Sequence, residues 1–116
     1  MTNKTYINSV TVQGFVGAAA EPKNLDGGKT VLNFSVATSR FRGEGENREQ
    51  FTEWHRTAAW GKLASTIGSV AKGAHVKVEG ELRSREYDGS NGKVQTYEIV
   101  AHKIEILAKE PQEASA

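Results

Sequence analysis

Apolar and polar residues alternate along most of the chain. Between residues 6 and 20, Val10 and Val12 take turns with Thr11 and Gln13, the period of two that sends successive side chains to opposite faces of a strand. Gly14 and Gly17 are expected to shift that phase, since an interior glycine commonly marks a bulge or tight bend where a sheet curls. Asp26-Gly27-Gly28 is turn chemistry, and a second strand is predicted from 30 to 40 with Leu32, Phe34 and Val36 on one face. Residues 42 to 50 hold two glycines, an asparagine and several charges and read as a mobile loop, followed by a third strand over 51 to 60. Leu63, Ile67 and Val70 recur at i, i+4 and i+7 and predict one helix of about three turns within 61 to 71, with Gly73 as its stop. Strict alternation returns over 74 to 87, where Val76, Val78 and Leu82 share one face and Lys77, Glu79, Glu81, Arg83, Arg85 and Tyr87 the other. Turn residues at 88 to 92 lead to a fifth strand over 93 to 107, with Tyr97, Ile99, Ile104 and Ile106 available for packing.

Five strands with a single short helix between the third and fourth is the element order of the OB-fold, an all-β, five-stranded Greek-key barrel. At 116 residues the chain has room for one core. Residues 1–108 are expected to form that domain, and 109–116, which lack an apolar anchor, a short flexible tail. No internal repeat appears at the periods of solenoid proteins. Lys4, the valines after it and Ala18-Ala19-Ala20 faintly mimic a secretory signal, but Asn8, Ser9, Thr11 and Gln13 break the apolar stretch a signal needs. No apolar run is long enough to cross a bilayer. The absence of cysteine rules out disulfides and thiol chemistry and agrees with a reducing compartment, so a cytoplasmic location is expected.

Bulk charge gives no sign of a polyanionic partner, because 15 Lys and Arg face 14 Asp and Glu. Local arrangement is more informative. On the third strand Trp54, Arg56, Ala58 and Trp60 fall on one face and His55, Thr57 and Ala59 on the other. Turned inward, the first face would bury Arg56 between two indoles at a large desolvation cost. Turned outward, two indoles and a guanidinium make a platform for unpaired bases, each of which has a π-face. Tryptophan is also an ordinary core residue, so the residues alone leave both orientations open. The fourth strand adds Arg83, Arg85 and Tyr87 on its polar face, and Arg40, Phe41 and Arg42 sit at the mouth of the long loop. Cations interleaved with rings suit an extended single strand, although solvated charges pairing among Lys77, Glu79, Glu81 and Arg83 would produce the same pattern.

Other chemistries fare poorly. His55, His75 and His102 lack metal-site spacing, so neither a metal nor another cofactor is expected. Gly61-Lys62 is not a phosphate loop, because Arg56 stands where the leading glycine belongs and Leu63 where Ser or Thr is required. No nucleophile, base and acid arrangement stands out, and no catalytic residue is assigned.

Thr52-Glu53-Trp54-His55-Arg56 followed by Trp60-Gly61-Lys62-Leu63-Ala64 closely resembles the core signature of bacterial single-stranded DNA-binding proteins. Asn33 to Thr38, Lys72 to Arg85 and Tyr97 to Ala101 resemble further segments of that family in the same order, so the likeness spans about residues 8 to 107. The resemblance implies an OB-fold that assembles, usually as a homotetramer, and wraps single-stranded DNA in replication, recombination and repair. It maps the stacking aromatics onto Phe41, Trp54, Trp60 and Tyr87, and the phosphate-contacting cations onto Arg56, Lys62, Lys72, Arg83 and Arg85. It gives His55 a place in the subunit interface. Three departures stand out. Trp60 and Tyr87 replace what are commonly Phe and Trp, which keeps a ring at each position. Glu86 stands where many relatives carry a base, lowering phosphate attraction locally. The sequence ends at Glu110-Pro111-Gln112-Glu113-Ala114-Ser115-Ala116 without the acidic, apolar-ended tip by which relatives recruit repair and replication enzymes, so that route is not expected here.

Three other readings use the same surface. An RNA-binding OB module would show in competition between matched DNA and RNA oligomers, since stacking does not exclude a 2′-hydroxyl. An assembly protein of the replication-restart type would hold protein partners without binding nucleic acid, because aromatics and arginine also mark protein interfaces. An oligosaccharide site would not need so many cations.

Overall fold

A computed structural model of the chain describes residues 5–107, so the expected tail over 109–116 lies outside the described residues. The strands are β1 (Val10–Val16), β2 (Lys23–Leu25), β3 (Lys29–Arg42), β4 (Glu49–Trp60), β5 (His75–Gly89) and β6 (Gly92–Ile106), with one helix, α1 (Lys62–Ile67), between β4 and β5. The sheet runs β1-β5-β6-β4-β3, and β1 also pairs with β3, which closes a five-stranded barrel. The expected all-β OB architecture is therefore present. The short β2 is an addition to it, a hairpin arm laid along β3 in the segment read as turn.

The barrel interior is filled by the side chains that alternation places inward. Leu32 and Val36 of β3 and Val76 and Val78 of β5 are fully enclosed, and Val16, Phe34, Ala59, Ile99, Ala101 and Ile104 complete the core. Ile99 and Ile104 are five residues apart, an odd spacing that would put them on opposite faces of a regular strand. A register shift resolves this: Glu79 faces Lys103 while Gly80 faces Ala101, leaving His102 as the extra residue of a bulge. Two of the proposed packing residues of β6, Tyr97 and Ile106, are exposed instead, as is Leu82 of β5. Tyr97 lies beyond the last β4–β6 pair, Leu82 beyond the last β1–β5 pair, and Ile106 is the final residue of its strand.

Local readings shift in three further places. Gly14 does not break the phase of β1. It continues the inward set of Val10, Val12 and Val16, and a side chain there would collide with the carbonyl oxygen of Ala37. The loop read over 42 to 50 is mostly hairpin, since β3 continues to Arg42, β4 starts at Glu49 and only a 3-10 turn at Gly45–Asn47 intervenes. The helix is six residues long, not three turns. It ends at Gly68, whose φ of 70° terminates it and whose N–H is donated to the carbonyl of Ala64. Val70 lies beyond it, in a two-way backbone bridge with Ala20. Ala64 still seals the barrel end, with Leu63 and Ile67 packed beside it.

Candidate nucleic-acid interface

The orientation of the third sequence strand is settled by β3 and β6, which lie on either side of it as β4. Pairing with β3 sets Val31, Asn33, Ser35 and Ala37 beside Trp60, Ala58, Arg56 and Trp54. The alternate residues Leu32, Phe34 and Val36 go to the core with Thr57 and Ala59. The Trp-Arg-Ala-Trp face is thus the outer one. Trp54 is 61% exposed, Trp60 45%, Phe41 52% and Tyr87 51%, so none of the four rings is a core residue.

Register carries the same face onto neighbouring strands. In β6, Val100 stands beside Ala58, and Glu98, two residues earlier, shares its side. In β5, Glu81, Arg83, Arg85 and Tyr87 stand opposite Val100, Glu98, Thr96 and Val94. Phe41 occupies the outer side of the β3–β4 hairpin, opposite Gln50, with the Arg48 guanidinium 4.1 Å above its ring. Along β4, six residues of strand separate the two indoles by about 20 Å, a span for several nucleotides between them.

On this outer side Val31, paired with Trp60, and Ala58, between the two indoles along β4, are buried. A cleft of about 680 Å³ opens at the Trp60 end, lined by Arg83, Arg85, Glu98, Val100 and Asn33. A second hollow, where the inward-phase Val10, Val12, His55 and Ile99 meet Trp54, Arg56 and Glu98, opens into the barrel at the Trp54 end. It exists because β4 and β6 pair only at Thr57–Ile99 and Ala58–Val100 and part beyond them.

The cations divide into two sets. Arg83 donates to Glu81 at 2.7 Å, and Arg85 stands 3.5 Å from Glu98. Arg56, Lys62 and Lys72 make no ion pair among the described residues. Lys62 opens α1 directly after Trp60 and Gly61. Lys72 lies on the turn that enters β5, which is hydrogen-bonded to the end of β1 and not to β4. Glu86 pairs across from Gln95 and alternates with Arg85 and Tyr87, so its side chain leaves the opposite side of the ribbon. His55 is half-buried on the inner side of β4, its Nε2 joined to Thr38 Oγ1 by a 2.9 Å hydrogen bond. Glu98 and Asn33 were not singled out in the sequence. Their place beside Arg85 and Ala58 depends on pairing between strands distant in the chain, which spacing along one strand does not report. Among the described residues no group of three or more His, Asp or Glu could hold a metal ion.

Residues 7–107 match the single-strand binding protein family. The chain belongs to that family. It is 36% identical over 105 residues to single-stranded DNA-binding protein 1 of Chlorobaculum tepidum, covering 87% of this chain and 65% of that protein. It is 38% identical over 104 residues to the single-stranded DNA-binding protein of Neisseria meningitidis, covering 87% and 60%. The chain thus spans 60 to 65% of the length of these curated relatives. Among solved structures, the Plasmodium falciparum single-stranded DNA-binding protein in complex with single-stranded DNA superposes with a TM-score of 0.79 at 26% identity, over 92% of this chain and all of that one. A deletion mutant of the Thermus aquaticus single-stranded DNA-binding protein shares the fold at 23% identity and a TM-score of 0.75, over 88% of this chain and 51% of that one.

Proposed function

We propose that this chain binds single-stranded DNA without sequence preference and protects it during replication, recombination and repair. The observation that carries this reading is the open outer face of β4, where two exposed indoles flank Arg56, which makes no ion pair among the described residues. Bases stack on Trp54 and Trp60, and on Phe41 and Tyr87 along the two hairpins. Arg56, Lys62, Lys72, Arg83 and Arg85 attract the phosphates. Nothing in this role requires a bond to be made or broken, and the protein acts by holding its strand in the cytoplasm. Family membership and the likeness to a protein solved with single-stranded DNA support the assignment.

The same reading includes assembly, with a homotetramer as the expected state. Tyr6, Ile7, Leu82 and Tyr97 expose apolar surface, and the Asn8 side chain exchanges two hydrogen bonds with the backbone of Leu82, holding the start of the chain along β5. His55, midway along β4, contributes to the subunit contact.

The test is a titration with oligo-dT of increasing length while intrinsic fluorescence and complex mass are followed. Strong quenching, salt-sensitive affinity and a mass of four chains per complex are expected. Absence of quenching at low salt would overturn the assignment, and a clear preference for matched RNA would reassign the ligand.

A further inference from the structure

Phe15 lies on the outer side of β1 because Gly14 keeps the inward phase, and it is 44% exposed. Its ring stacks on the imidazole of His75, with centroids 4.7 Å apart and planes 17° from parallel. Two registers join this pair to the face described above. Phe15 stands opposite His75 in β5 and opposite Ala37 in β3, and Ala37 stands opposite Trp54 in β4. One outward row therefore reads Trp54, Ala37, Phe15, His75 across four strands. Strand spacing puts the backbones of Trp54 and Phe15 about 10 Å apart, and the small Ala37 between them raises no barrier. The Trp54 indole also covers Gly17, just past the end of β1 and two residues from Phe15 on the same side.

Lys72 is the second observation. Its turn is fastened to β1 beside Phe15, since Gly73 N–H is donated to Val16 O at 2.8 Å and Val16 N–H to Ala74 O at 2.9 Å. The lysine is exposed and makes no ion pair among the described residues, yet it lies off the β4 face. A strand confined to β4, β6 and β5 would leave it without a phosphate.

We infer that the Phe15–His75 pair is a further base-stacking station, which takes a nucleobase of the same DNA strand and carries its path from Trp54 around the barrel to Lys72. The inference rests on the DNA-binding reading. The row continues directly from Trp54 of the proposed DNA face and leads to a lysine with no ion pair among the described residues, which favours the same DNA strand over a protein partner.

Oligo-dT of increasing length tests it, with Phe15→Ala, Phe15→Leu and Phe15→Trp compared with the unaltered chain by quenching, thermal melting and subunit mass. For oligomers of about five nucleotides, seated between Trp54 and Trp60, Phe15→Ala is expected to bind as the unaltered chain does. For longer oligomers it should bind fivefold or more weakly, roughly the loss of one stacked base. Phe15→Leu should show the same loss, Phe15→Trp should retain affinity, and His75→Ala should weaken long oligomers alone. Equal affinity of Phe15→Ala at every length overturns the inference while leaving DNA binding intact. So does full affinity of Phe15→Leu, or a changed subunit mass with unchanged affinity, which would assign the pair to protein contact. No binding by the unaltered chain at any length overturns the parent reading with it.

Discussion

The Trp54 indole lies over Gly17, so close that a methyl group at position 17 would sit 2.4 Å from Cζ3 of the ring. The glycine is there to admit the ring. Because the colliding atom is the far end of an exposed side chain, Gly17→Ala should displace the indole at little cost to folding. Its melting temperature is expected to stay near that of the parent while tryptophan emission shifts and oligo-dT affinity falls. A variant that binds normally would show that the ring position over Gly17 is not needed.

Removal of either indole should separate binding from stability. Trp54→Ala and Trp60→Ala are each expected to lose about 1 to 3 kcal/mol of binding free energy, while chemical denaturation changes little because both rings are exposed. Phe at either position should retain most of the affinity, since a π-face remains. A denaturation midpoint that drops as much as the affinity would mark the ring as structural.

The acidic neighbours of the arginines should act as a brake. Glu81 accepts from Arg83 at 2.7 Å and also lies 3.6 Å from His102 Nε2. Glu81→Gln removes a negative charge from the proposed phosphate path and frees Arg83, so affinity at low salt should rise. Lys72→Ala should do the reverse, lowering affinity across all sequences and reducing the salt slope by about one. Binding measured from 50 to 300 mM salt, on the order of the range over which counterion release is read, distinguishes the two.

Gly80 marks a place where folding and not binding will fail. It sits at the register shift, and a side chain there would meet Val100 O at 2.1 Å and Val100 C at 2.8 Å. These are backbone atoms of a paired strand and cannot swing aside. Gly80→Ala is expected to destabilise the barrel by roughly 2 to 3 kcal/mol, which a denaturant titration would report as a lower midpoint.

Much of the fold was legible because alternation is a local consequence of strand geometry. Val76, Val78, Leu32 and Val36 announce their faces with no knowledge of what lies across from them. The helix was legible in place but not in length. Val70 fits its period by chance of spacing, whereas its backbone is satisfied by Ala20, fifty residues away. The hairpin over 42 to 50 was hidden for a similar reason, since charges and glycines resemble a loop until Arg42 finds Glu49 across from it.

Sequence alone determined that Trp54, Arg56 and Trp60 share one side of a strand, and that Arg83, Arg85 and Tyr87 share one side of another, because period two is fixed by the backbone. It did not determine which side meets water. That was decided by the barrel, which needed Leu32, Phe34 and Val36 inside and so turned their neighbours out. Tertiary pairing also placed Glu98 beside Arg85 and set Phe15 in one row with Trp54. Such relationships arise from register between strands far apart in the chain, and hydrogen-bonded register is settled only when the sheet closes on itself.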